Sequence, residues 1–173
     1  ANFSPDRLNT LRTRNSAAYK GIYALLMEGE TKDWLSATSI TFSTYFSEAI
    51  DIHHIFPVKW CMDNNKNKKD FDCIINKTPL SGRTNRIVGG AAPSVYLKRI
   101  ISRVGIPENE FINIIDTHDV SYEYLKSDDF EKFFQDRKEK ILKRIELAIG
   151  KQISRSESTQ EEGVYKEEAS DDE

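Results

Sequence analysis

Apolar residues recur along this chain in two rhythms, a helical one of about 3.6 residues and a short alternating one. Ser4-Pro5 predicts a helix start, with Ser4 as N-cap and Pro5 in the first helical position. Leu8, Leu11, Ala18, Ile22, Leu25 and Leu26 then share one face up to Glu28-Gly29. A mixed stretch through Trp34, Phe42, Tyr45 and Phe46 predicts a short helix or turns. Ile50 to Phe56 is β-branched, partly alternating and stopped by Pro57, which predicts a strand. Asp63–Asp70 reads as a polar loop, and Ile74-Ile75-Asn76 leads into a short extended piece at Lys77–Leu80 that Pro79 confines to an edge. Ser81 caps a short helix to Val88, stopped by Gly89-Gly90. Leu97, Ile100, Ile101 and Val104 mark a helix from Pro93-Ser94 to Gly105, and another runs from Pro107 to about Asp116. Asp128 with Glu131 forms a capping box for a long helix ending at Gly150, with Phe130, Phe133, Phe134, Ile141, Leu142, Ile145 and Ala148 on its apolar side. The pattern predicts a mainly α (α+β) fold, with one strand–loop–strand–helix insert and no internal repeat.

Composition narrows the class. The 173 residues are 38% hydrophobic, enough for a core, and no apolar run approaches the length of a membrane span. No signal-peptide pattern opens the chain, and Cys61 and Cys73 lack the spacing of a zinc site or disulfide scaffold. The expectation is a soluble cytoplasmic protein. Charge is uneven. Arg155–Glu173 carries a net −6 with little apolar content, and residues 151–173 read as an acidic, disordered tail. Lys59–Arg103 carries +7, and no acidic residue occurs from Cys73 to Pro107. This is either a solvated basic face or a phosphate-facing surface, to which Lys66, Lys68, Lys69, Lys77, Arg83, Arg99 and Arg103 would contribute.

Candidate chemistry centres on Asp51-Ile52-His53-His54. On a strand Asp51 and His53 share one face and His54 takes the other. Ordinary polar packing is one reading of such a pair. Asn76 and Asn85 supply the other, because a metal nuclease needs only one or two ligands, open positions for water and phosphate, and a base.

The stretches DIHHIFP and INKTPLSGRTNRIVGG together resemble the HNH motif of ββα-metal nucleases. They are especially similar to the C-terminal HNH domain of GmrSD-type modification-dependent restriction and phage-defence proteins. The core of the resemblance covers Asp51 to Gly90, and its flanks extend it from about Asp6 to Gly150. The resemblance implies that His54 is the general base, His53 a metal ligand, Asn85 the ligand on the helix, and Asn76 the residue that orients the strand–loop region. His53 stands where many relatives carry Asp. Imidazole admits Ni²⁺ or Zn²⁺ besides the Mg²⁺ or Mn²⁺ that a carboxylate favours, and Asp51 lies close enough to contribute a carboxylate.

Arg86, beside Asn85, is placed to clamp the scissile phosphate, ahead of Arg83 and Lys77. Arg12, Arg14 and Asn15 form either a second nucleic-acid contact or a structural tie. His118, between Asp116 and Asp119, reads as a surface or capping residue, and Cys61, Cys73, Trp34 and Trp60 as packing residues.

The expected function is hydrolysis of phosphodiester bonds in duplex DNA. A non-catalytic or gated DNA-binding module on the same fold is the alternative. The resemblance further implies an N-terminal nucleotide-hydrolysing domain elsewhere in the full-length protein, and a start at Ala1 ahead of a helix suits an excised C-terminal domain. The expected segments are 1–49 (helical), 50–90 (HNH motif), 91–150 (helices) and 151–173 (tail).

Overall fold

A computed structural model of the chain describes residues 3–12, 16–41, 44 and 50–155. Phe42, Tyr45, Phe46, Arg14, Asn15 and the acidic stretch from 156 onward lie outside these residues. The expected mainly α, α+β class holds: helices surround one two-stranded antiparallel sheet.

The single N-terminal helix read from the sequence is two, α1 (Asp6–Thr10) and α2 (Ala17–Glu28). Leu11 breaks the run. It is extended, its side chain is buried, and its carbonyl accepts the Ile74 N–H at 2.9 Å, so a tertiary bond replaces a helical one. Ser4 makes no side-chain cap. Ser16 does that work for α2, its Oγ accepting the Tyr19 N–H at 3.1 Å.

Strands β1 (Ile50–His54) and β2 (Lys77–Ser81) pair with Asp51 opposite Leu80, His53 opposite Thr78 and His54 opposite Lys77. Pro79 fits because each strand of a two-stranded sheet is an edge. β1 stops at His54, and the connection to β2 is more ordered than a polar loop. It holds α3 (Val58–Asp63), α4 (Lys68–Phe71) and a 3₁₀ turn at Ile74–Asn76. Pro57 starts α3, which buries Cys61, and Asn67 caps α4 through the Lys69 N–H.

Helix α5 (Gly82–Val88) follows β2 directly, capped by Ser81 and ended by Gly89 at φ +52°. Then come α6 (Pro93–Val104), α7 (Glu108–Asp116), α8 (Tyr122–Lys126), which the sequence pattern did not reveal, and α9 (Phe130–Ile149). The cap of α9 is Asp129, not Asp128. Asp129 accepts the Lys132 N–H, while Asp128 reaches across to the Ser94 N–H and hydroxyl at 2.8 and 2.6 Å. The apolar stripe of α9 ends at Ile145, leaving Ala148 exposed, and it carries one charge, the fully buried Arg137. Ile153 is also buried, and Arg155 bonds Glu139 and Glu146 on α9, so packed chain extends five residues into the segment read as tail.

The core lies between α9, the hairpin connection and α2. Phe56 is its aromatic centre, within 5.3 Å (ring centroids) of Trp60, Phe130 and Phe133. Trp34 packs on Tyr96 and edge-on to His118. His118 is therefore not a surface residue. It is buried, its Nε2–H donating to the Lys32 carbonyl and its Nδ1 accepting from the Thr78 hydroxyl, both at 2.6 Å. Among the described residues no helix is long and apolar enough to cross a membrane.

Candidate active site

Strand alternation sets the site. His54 shares a sheet face with Lys77, its cross-strand partner, while Asp51 and His53 take the other face with Leu80 and Thr78. Asp72, at the end of α4, joins the first pair. Its Oδ1 lies 3.2 Å from His54 Nε2 and 3.0 Å from Lys77 Nζ. A carboxylate only accepts, so Nε2 carries the hydrogen and Nδ1 of the neutral ring keeps its lone pair. The His54 side chain is 26% exposed, open enough for a reactant and dry enough for its charge state to be tuned.

Burial pulls the proton affinity of His54 below that of a free imidazole. The Lys77 charge acts the same way, and Asp72 opposes both. For Asp72, burial pushes upward but hydrogen bonds from Lys77 and His54 outweigh it, leaving the carboxyl below its usual range. At neutral pH the pair is a neutral imidazole oriented by a carboxylate. Asp72 entered the sequence reading only as a negative charge, since nothing in its spacing announces a partner eighteen residues upstream.

Asn76 is wholly buried and fully used. Its Oδ1 accepts the Phe56 N–H, and its Nδ2 donates to the Phe56 and Phe71 carbonyls, each at 2.9 Å. With the Ile55 N–H on its own carbonyl, Asn76 clamps the end of β1 to the loop that carries Asp72. Asn85 lies half-buried on α5, which packs against both strands. His53 and Asp51 are half-buried on β1, and Asp51 Oδ1 accepts the Ile52 N–H at 2.7 Å. Among the described residues no three His, Cys, Asp or Glu side chains converge on one point. Of the residues expected to hold a cation, His53 offers an imidazole, Asn85 an amide oxygen and Asp51 a carboxylate oxygen, a mixed set that would suit a weakly caged divalent ion.

The expected phosphate contacts divide into two groups. Lys66 is spent on Glu131 at 2.6 Å and lies over the Trp60 and Phe130 rings. Lys77 is buried, bonded to Asp72 and to the Arg12 carbonyl. Lys77 is thus an internal residue, while Lys66 is partly exposed and held by its ion pair. Lys68 and Lys69 are exposed on α4. Arg83, Arg86, Arg99 and Arg103 come together and line one cavity between α5 and α6, of about 540 Å³. The two cysteines are packing residues, and burial pushes the Cys61 thiol up to about 12, which leaves it unreactive at neutral pH.

No protein-family profile matches the chain, and no solved structure does. An uncharacterized protein of the archaeon Methanocaldococcus jannaschii is 26% identical over 159 residues, covering 80% of this chain. The chain spans 27% of that relative's length.

Proposed function

We propose that this chain is a metal-dependent endonuclease of the HNH type, hydrolysing phosphodiester bonds in duplex DNA. We further propose that it serves as the nuclease part of a larger restriction or phage-defence protein. The observation that carries the reading is His54: neutral, partly exposed, oriented by Asp72, and set on a β-hairpin that leads straight into the helix bearing Asn85.

His54 Nδ1 takes a proton from a water molecule whose oxygen attacks the phosphorus. The bond from phosphorus to the leaving sugar oxygen breaks, and that oxygen takes a proton from a solvent water. Asp72 holds the ring by its Nε2–H and stabilises the imidazolium that forms. Asn76 keeps the end of β1 and the Asp72 loop at fixed separation. A divalent ion, Mg²⁺ or Mn²⁺, would be held by His53 and Asn85 with Asp51 as third donor, and would polarise the phosphate and offset charge on the leaving oxygen.

Nicking of supercoiled plasmid, with Mg²⁺, Mn²⁺, Ni²⁺ and Zn²⁺ compared, tests this directly. His54→Ala should lower the rate by about 10²–10⁴ with an unchanged melting temperature. Undiminished nicking by the variant refutes the assignment, and DNA binding without nicking by the wild type favours a binding module.

A further inference from the structure

Four of the nine described arginines are held by acceptors within the protein. Arg12 donates to the Asn9 carbonyl, Arg137 to four carbonyls, Arg144 to Asp119 and Arg155 to Glu139 and Glu146. Arg83 and Arg86 on α5 and Arg99 and Arg103 on α6 differ. All four are exposed and line one cavity, and none has an acidic partner among the described residues. Four like charges in one concavity repel each other, so the arrangement is favourable chiefly when an anion fills it.

The nearest carboxylate does not neutralise them. Asp33 lines an adjoining cavity with Arg83 and Arg103, but it is 2% exposed. Its oxygens already accept the Leu35, Ser36 and Ser81 N–H groups and the Thr84 hydroxyl. Those same bonds fix Leu35 against the arginine cavity, where it and Ile87 supply an apolar wall.

The cavity does not face the Asn85 side of α5. At about 100° per residue, Asn85 lies roughly 150° around the helix from the mean direction of Arg83, Arg86 and Ile87. A helix with its side chains is about 10–12 Å across, and a DNA strand advances about 3.4 Å per phosphate. A cavity of about 540 Å³ is roughly 10 Å wide, room for consecutive backbone phosphates, and guanidinium forks match phosphate oxygens.

We propose that the α5–α6 cavity grips backbone phosphates of the DNA away from the bond that is cut, and that Arg86 belongs to this grip, not to the scissile phosphate. The proposal rests on the reading of duplex DNA as substrate. It moves Arg86 from the reacting centre, where its position beside Asn85 had placed it, to a positioning role.

Binding is measured without chemistry, by fluorescence anisotropy of a labelled duplex in EDTA across a salt series. Arg99→Gln/Arg103→Gln is compared with Lys20→Gln/Lys143→Gln, which removes the same charge from exposed positions elsewhere. The slope of log affinity against log salt should become shallower by about 1.8 for the arginine pair, at about 0.9 per phosphate contact, and stay at the wild-type value for the lysine pair. Equal changes in both variants reduce the effect to net charge and overturn the grip. Arginine-dependent binding of inorganic tripolyphosphate by calorimetry, with an unchanged DNA slope, overturns it in favour of a free polyphosphate. In cleavage, Arg86→Gln should raise KM with kcat retained; a fall in kcat at saturating DNA returns Arg86 to the scissile phosphate. If nicking is absent but the slope change appears, the grip stands and the nuclease reading falls.

Discussion

His118 gives the fold an acid sensitivity whose size can be worked out. Its ring is sealed between the Lys32 carbonyl and the Thr78 hydroxyl, which together satisfy the neutral Nε2–H tautomer. Burial is the largest cause that lowers its proton affinity, the buried Arg137 charge adds to it, and the Lys32 carbonyl, Asp33 and Asp119 only partly oppose, leaving a value of about 4. The unfolded chain titrates at about 6.5. Because the folded value is the lower one, the stability that His118 contributes is fully present above about pH 6.5. It is lost as pH falls toward 4, where the unfolded chain takes up a proton that the folded one refuses. At about 1.36 kcal/mol per unit, the loss between pH 7.5 and 4 is about 3 kcal/mol, a large share of a typical domain's stability. His118→Gln keeps an N–H for Lys32 and an oxygen for Thr78 without titrating. Urea unfolding at several pH values should therefore show the wild type losing about 3 kcal/mol more than the variant over this range, whatever the variant's stability at pH 7.5. His54 and the carboxylates titrate in both proteins and cancel. Parallel stability curves would refute a buried, neutral His118.

Two further outcomes concern the site. Asp72→Asn removes the negative charge that favours imidazolium at His54 and leaves the Lys77 charge unopposed, so the acid limb of the pH–rate profile should move to lower pH; movement upward contradicts the pairing. Asn76→Ala strands one buried N–H and two buried carbonyls, and should cost about 3–5 kcal/mol in urea unfolding; a loss under about 1 kcal/mol contradicts the clamp.

Elements whose signals are local were legible in the sequence. Pro93 and Gly105 bracket α6, Ser81 and Gly89 bracket α5, and Gly150 ends α9 because each acts on its own neighbours. The misreadings fall where a distant partner decides. Leu11 leaves the helix for Ile74. Asp128 abandons the start of α9 for Ser94. His118, between two aspartates, looks solvated until Thr78, forty residues away, and Lys32, eighty-six away, close on its two nitrogens. Asp72 is of the same kind. It becomes part of a site only when the hairpin returns Lys77 and His54 to either side of one oxygen.

A two-stranded sheet is marginal on its own, so the hairpin that carries His53 and His54 must be held from outside. Four segments do this, each with a buried polar group aimed at the hairpin or its connection. Arg137 of α9 donates to the carbonyls of Ile74, Ile75 and Lys77. Tyr96 of α6 donates to the Ile55 carbonyl, directly after His54. His118, beyond α7, accepts from Thr78. Asp33, in the loop after α2, accepts from Ser81 and Thr84 where β2 passes into α5. A segment cut at 50 and 90 would lose all four partners. Their donors and acceptors would then be stranded in both pieces, at about 1–3 kcal/mol each. The helices before and after the hairpin are therefore part of the site's geometry. They fix the backbone on either side of His54 while its edge and the arginine-lined flank of α5 stay exposed.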